Sequence, residues 1–300
     1  MIGTATVLIL LMGPLLLGLA GLISARRTQK QETPGHSPWS SKLTLLSALL
    51  YTLAFNLIFF VQEIFLVLPK AFLPGVRPTL FHNNHVWEGE HPLTRLFQGT
   101  GALATFLIGM ACLLLLRRGA GRSVSIRLFL IWVAYCGLFM ALPQVVIGAL
   151  NPGNDVGMAM DYFQLSATAK TAAALLALIT MPILALSLVR PLLTLADHQD
   201  AISSAGARTR YVFQVATLPA LIGIALILPF RIPRELIEVV LLPVLVTVIG
   251  VAWIQAGAWR VRSAQANGST SDLRVIVPMV AAALLLLIFQ FVLRPGIGFF

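Results

Sequence analysis

The sequence predicts an all-α polytopic membrane protein: a bundle of about eight transmembrane helices with N- and C-termini outside, on the periplasmic side. Three observations carry this. Of 300 residues, 58% are hydrophobic and 11% charged, with a mean hydropathy of +0.90, too apolar for a soluble globule. The apolar residues gather in runs of about 20, the length that crosses ~30 Å of hydrocarbon at ~1.5 Å per residue. The connections between runs alternate between strongly basic and mixed in charge, as the positive-inside rule requires.

The spans fall at about 2–24, 43–68, 96–116, 128–150, 167–189, 211–230, 236–259 and 275–293, within a single integral membrane domain over 1–300. The first run has no basic residue before it, while Arg26, Arg27 and Lys30 follow it, so it reads as an uncleaved anchor. Ile23-Ser24-Ala25 is an acceptable cleavage site, and its use would leave seven spans. The connection from Arg26 to Lys42 is polar, with Pro34, Gly35 and Pro38, and belongs to the cytoplasm. Residues 69–95 form the main outer loop. Arg117, Arg118, Arg122 and Arg127 mark the next cytoplasmic turn. An outer turn, Asn151 to Asp155, follows the fourth span and reads as ordinary turn chemistry. The cytoplasmic segment 190–210 accommodates a short surface helix, RIPRE joins the sixth and seventh spans, and the tail after Leu293 ends outside.

Counting tests this topology. Cytoplasmic segments hold 14 of the 21 Lys and Arg against four acids, whereas outer segments hold seven of each. The net charge of +10 is therefore a membrane-orientation signal, and nucleic acid is not an expected partner. Cys112 and Cys136 lie within apolar runs and read as small buried hydrophobes. The last three spans share a loose hydrophobic-Pro start, at Pro219, Pro243 and Pro278, with spacings too unequal to establish a repeat.

Polar side chains are costly in hydrocarbon, so their positions are informative. Thr52, Asn56 and Glu63 share one face of the second span, with Gln62 alongside. Gln98, Gly101 and Thr105 do the same on the third, continued by Gly109 and Cys112, so these two spans are expected to face a shared interior. Lys170 is the first expected cationic partner for Glu63, and Arg95 the second. Ala169, Ala173 and Ala177 form a small-residue stripe suited to close helix packing. No histidine falls in an expected span, which argues against a bis-histidine haem, and no acid sits near the midplane, which weakens ion-coupled transport.

The outer loop concentrates the chemistry. His82, His85 and His91, with Glu88 and Glu90, offer the ligand atoms of a Zn(II) or Cu(II) site, and a helix around His82 would bring the first two rings to one face. The same residues suit a hydrogen-bonded loop in the interfacial aromatic belt beside Phe81 and Trp87. Glu63, Asn56, Gln98, Trp87 and Lys170 are the candidate ligand-binding residues. The leading functional reading is a permease-like or ligand- and metal-handling protein of the cytoplasmic membrane whose outer loop receives a small polar solute or metal ion. Two others stand beside it: a membrane-embedded metal-dependent hydrolase using the 82–91 loop, and a non-catalytic subunit or assembly factor bound to a membrane-protein partner.

Overall fold

The computed structural model describes residues 1–28, 39–121, 123–231, 236–269 and 273–300. The middle of the 26–42 connection and most of RIPRE lie outside them. Among the described residues, eight helices are long and apolar enough to cross a membrane: α1 (Ile2–Ser24), α2 (Ser41–Ala71), α3 (Leu93–Arg117), α4 (Val124–Leu150), α6 (Ala167–Leu193), α7 (Ala205–Arg231), α8 (Val240–Arg260) and α9 (Ile276–Leu293). A short helix, α5 (Asp155–Tyr162), lies between α4 and α6. The protein is thus a multi-pass helical membrane protein, as the hydropathy requires.

Serines start four of these helices, each offering a side-chain oxygen to an otherwise orphaned backbone N–H. Ser40 accepts from Leu43 N at 3.3 Å, Ser123 from Ile126 N at 3.3 Å, Ser166 from Ala169 N at 3.2 Å and Ser204 from Ala207 N at 3.1 Å. In α7 the helix widens to a π-helical turn over Phe213–Thr217, just before Pro219, whose ring removes a backbone donor. The short surface helical turn expected in 190–210 is present as Gln199–Ile202.

Burial ranks the helices. In their most apolar windows α4 is 83% and α2 72% buried, against 17% for α1 and 28% for α9, so α2 and α4 form the core while α1 and α9 lie at its edge. The core is aromatic. Tyr51 meets Trp132 edge-on at 4.8 Å and Tyr135 stacks on Phe139 at 4.8 Å. Their polar atoms are all used: the Tyr135 hydroxyl donates to Val246 O at 2.7 Å, and Trp132 Nε1 donates to Ser47 Oγ, which donates to Val215 O at 2.6 Å. In a membrane interior such bonds tie α2, α4, α7 and α8 together and satisfy the polar atoms of Tyr51, Trp132 and Tyr135.

The expected polar stripe on α3 divides between two neighbours. A Cβ on Gly101 would lie 2.8 Å from Gln62 O of α2, and one on Gly137 of α4 would lie 2.6 Å from Thr105 O and 2.9 Å from Gly109 Cα. Gly109 and Gly137 therefore mark the closest approach of α3 and α4. Gly137→Leu forces these backbones apart and is expected to cost ~1–3 kcal/mol, measured as a lower midpoint in thermal unfolding of the detergent-purified protein; an unchanged midpoint would show that the crossing is looser. Of the alanine stripe on α6, Ala177 is buried, Ala173 is half-buried and Ala169 is exposed, so most of it packs inward.

The loop between α2 and α3 is not helical around His82, the arrangement that would have brought the His82 and His85 rings to one face. It is a β-hairpin, β1 (Arg77–Leu80) and β2 (His85–Glu88), paired Arg77 with Glu88 and Leu80 with His85. The C-terminal tail adds β3 (Ile297–Gly298) to the other edge of β1. The tail after α9 thus meets the hairpin at one end of the bundle. The opposite end collects Arg117, Arg190, Arg208, Arg210 and Arg260 at helix termini.

Candidate functional site

The hairpin covers the end of α2 and changes the environment of its polar face. Glu63 and Lys70 stand seven residues apart, two helical turns on one face, and both are buried, Lys70 completely. His85, the first residue of β2, reaches between them. Its Nδ1 lies 2.9 Å from Glu63 Oε2, and its Nε2 lies 3.0 Å from Gln98 Oε1 and 3.2 Å from Lys70 Nζ. Lys70 Nζ donates to Gln98 Oε1 at 2.7 Å. Trp87, two residues along the strand and so on the same face, stacks on His85 at 5.9 Å and lies 4.2 Å from Lys70 Nζ across its ring.

The hydrogen inventory of this cluster is informative. With Nδ1–H donated to Glu63, a neutral His85 offers Nε2 as an acceptor for Lys70, and the ammonium then serves both Nε2 and Gln98. With both ring nitrogens protonated, Nε2–H donates to Gln98 instead. The carboxylate holds the ring in place in either state, as a carboxylate orients histidines elsewhere. The geometry thus holds an imidazole between a carboxylate and an ammonium, with Gln98 as a second partner of both the ring and the ammonium.

Asp155, the first residue of α5, adds a second carboxyl to this field. Asn154 caps the helix, accepting from Val156 N at 3.3 Å. Burial pushes the Asp155 carboxyl up to about 6 from 3.8; the nearby Glu63 charge pushes the same way, while His85 and Lys70 oppose. Its folded-state pKa lies above the unfolded one, so the native state is favoured with the acid neutral, and that advantage is lost as pH rises from about 4 to about 6. Asp155→Asn removes the penalty. Its unfolding midpoint should match the parent's below pH 4 and exceed it increasingly up to pH 6, by a few degrees (~2–4 °C per kcal/mol). A constant difference across that range would contradict the burial of this carboxyl.

The other expected residues fall elsewhere. Lys170 does not pair with Glu63; it donates to Asp161, which the turn after α5 brings within reach, and this corrects the expected partner. Asn56 lies two turns deeper, with its amide donating to Thr52 O at 2.8 Å. His82 is buried in the hairpin turn beside Asn83, which donates to Arg231 O at the end of α7. Arg231 is itself buried over the Phe59 ring at 4.1 Å. His91 Nδ1 accepts from Leu93 N at 3.2 Å and so starts α3. Glu88 and Glu90 are exposed, Glu88 on the strand face opposite His85. The strand's period of two therefore splits the five expected metal ligands, and no group of three or more His, Cys, Asp or Glu side chains converges as a metal site among the described residues.

Two members of the cluster were not singled out from the sequence. Lys70 carried a usable signal, its seven-residue offset from Glu63, whereas Asp155 sat in a turn sequence with nothing local to mark it. Comparison of the chain with protein-family models, with curated proteins and with solved structures found no match. What the helices define is the class: an integral, multi-pass, all-α membrane protein.

Proposed function

We propose that this is a permease-like, ligand-handling protein of the cytoplasmic membrane. Its outer-face site is the cluster of Glu63, Lys70, His85 and Gln98 beneath Trp87, and it receives a small polar solute. The observation that carries the reading is the burial of a carboxylate and an ammonium bridged by an imidazole at the end of a membrane helix. Desolvating such groups is expensive, and a bundle needing only stability would use apolar side chains there. The positive-inside count puts the hairpin end outside. Glu63, Lys70 and Gln98 offer both donors and acceptors, so the matching solute carries both. A metal-dependent hydrolase needs at least three ligands with an open position, and the strand geometry does not favour that arrangement. A purely structural subunit gives no reason for the buried charges.

The test is a thermal-shift panel on detergent-purified protein with amino acids, organic acids, amines and sugars, run beside His85→Ala and Glu63→Gln. At least one class is expected to raise the parent's unfolding midpoint and to lose that effect in both variants. A panel with no shift, or a shift retained in the variants, would overturn the reading.

A further inference from the structure

A groove of about 1030 Å³ lies at the other end of the molecule, between α1, α7 and α8. Missing side chains open it: the nearest atom to a Cβ on Gly18 is Ala256 Cβ at 3.9 Å, and on Gly206 it is Ser204 Oγ at 4.0 Å. Its walls are chiefly leucines of α1 with Leu221 and Val248. The polar groups along it are already satisfied by the protein. Thr217 Oγ1 donates to Gln255 Oε1 at 2.5 Å, Gln255 Nε2 to Thr209 O at 3.0 Å, and Trp259 Nε1 to Leu17 O at 3.2 Å. The groove makes no hydrogen-bonding demand along its length, so its occupant is a hydrocarbon chain.

One charged group stands at the rim. Arg210 lines the groove and is exposed, and its guanidinium has no ion-pair partner among the described residues. Exposed Arg260 and Arg262 follow directly after Trp259, so the mouth opens at the basic end of the bundle. From Leu10 to Leu22 the lining residues of α1 span twelve helical rises, about 18 Å, a little more than half of the ~30 Å hydrocarbon core. That is the depth of one leaflet.

We propose that this groove is a binding site for an anionic glycerophospholipid of the leaflet at the basic end, with an acyl chain along α1 and the phosphate on Arg210. A guanidinium matches a phosphate in shape and charge. The site is independent of the outer cluster.

The test is native mass spectrometry of the full chain, released from detergent after equilibration with equimolar phosphatidylglycerol and phosphatidylcholine. The parent should retain phosphatidylglycerol over phosphatidylcholine by about fivefold, the scale of one basic residue at an anionic surface. Arg210→Gln should retain lipid and lose the preference, and Gly18→Leu, which fills the groove, should lose both lipids. Ala256→Leu fills the same space from α8 and replaces Gly18→Leu if that variant does not fold. Equal retention of the two lipids by the parent, a preference that survives in Arg210→Gln, or undiminished retention in the groove-filling variant would each overturn the proposal.

Discussion

Lys70→Met is expected to destabilise the protein by ~1–3 kcal/mol, the scale of leaving buried hydrogen-bonding partners unsatisfied. The side chain is wholly buried, with Gln98 and His85 as its partners and Trp87 across its ammonium. Methionine fills much of the volume, so the loss is electrostatic: Gln98 and His85 lose their donor, and Glu63 loses the positive charge that His85 bridges to it. Adding Glu63→Gln to Lys70→Met should therefore recover part of the stability, although each single change costs some. Reversible unfolding in mixed micelles measures this. A double variant less stable than Lys70→Met by the full cost of Glu63→Gln would mean that the two charges do not interact.

Gly89→Val is expected to release the hairpin from the bundle. Gly89 has φ +88°, a conformation closed to a β-branched residue, and a Cβ there would lie 1.9 Å from Gly75 O. Because Gly75 and Gly89 bracket the two strands, the clash acts at the base of the hairpin and pulls His85 and Trp87 away from α2. Amide hydrogen exchange over residues 77–88 should accelerate by at least ~10-fold, while the core helices α2 and α4 keep their protection. Unchanged protection in the hairpin would show that the turn can be rebuilt around a side chain.

These expectations rest on features legible from the sequence to different degrees. The spans were readable because hydrocarbon tolerates few polar groups, so apolar runs and basic clusters had to alternate along the chain. Glu63 and Gln98 stood out for the same reason. The hairpin was not readable: each strand has four residues, and Phe-His-Asn-Asn between them suits a helix start as well as a turn. The difference matters for the ligand geometry, because a helix would have put His82 and His85 on one face, whereas the strand pairs His85 with Trp87 and turns Glu88 outward. Lys170 was assigned to Glu63 from its distance along the helix. The competing acid, Asp161, reaches it only through the turn after α5, a local geometry that the sequence does not display.

The central claim, that the hairpin and the buried end of α2 form one charged site, is tested most directly by a double-mutant cycle on Glu63→Gln and His85→Ala. The 2.9 Å contact between these side chains predicts a coupling of about 1 kcal/mol or more in unfolding free energy. Additive effects within ~0.3 kcal/mol would separate the two residues and contradict the account.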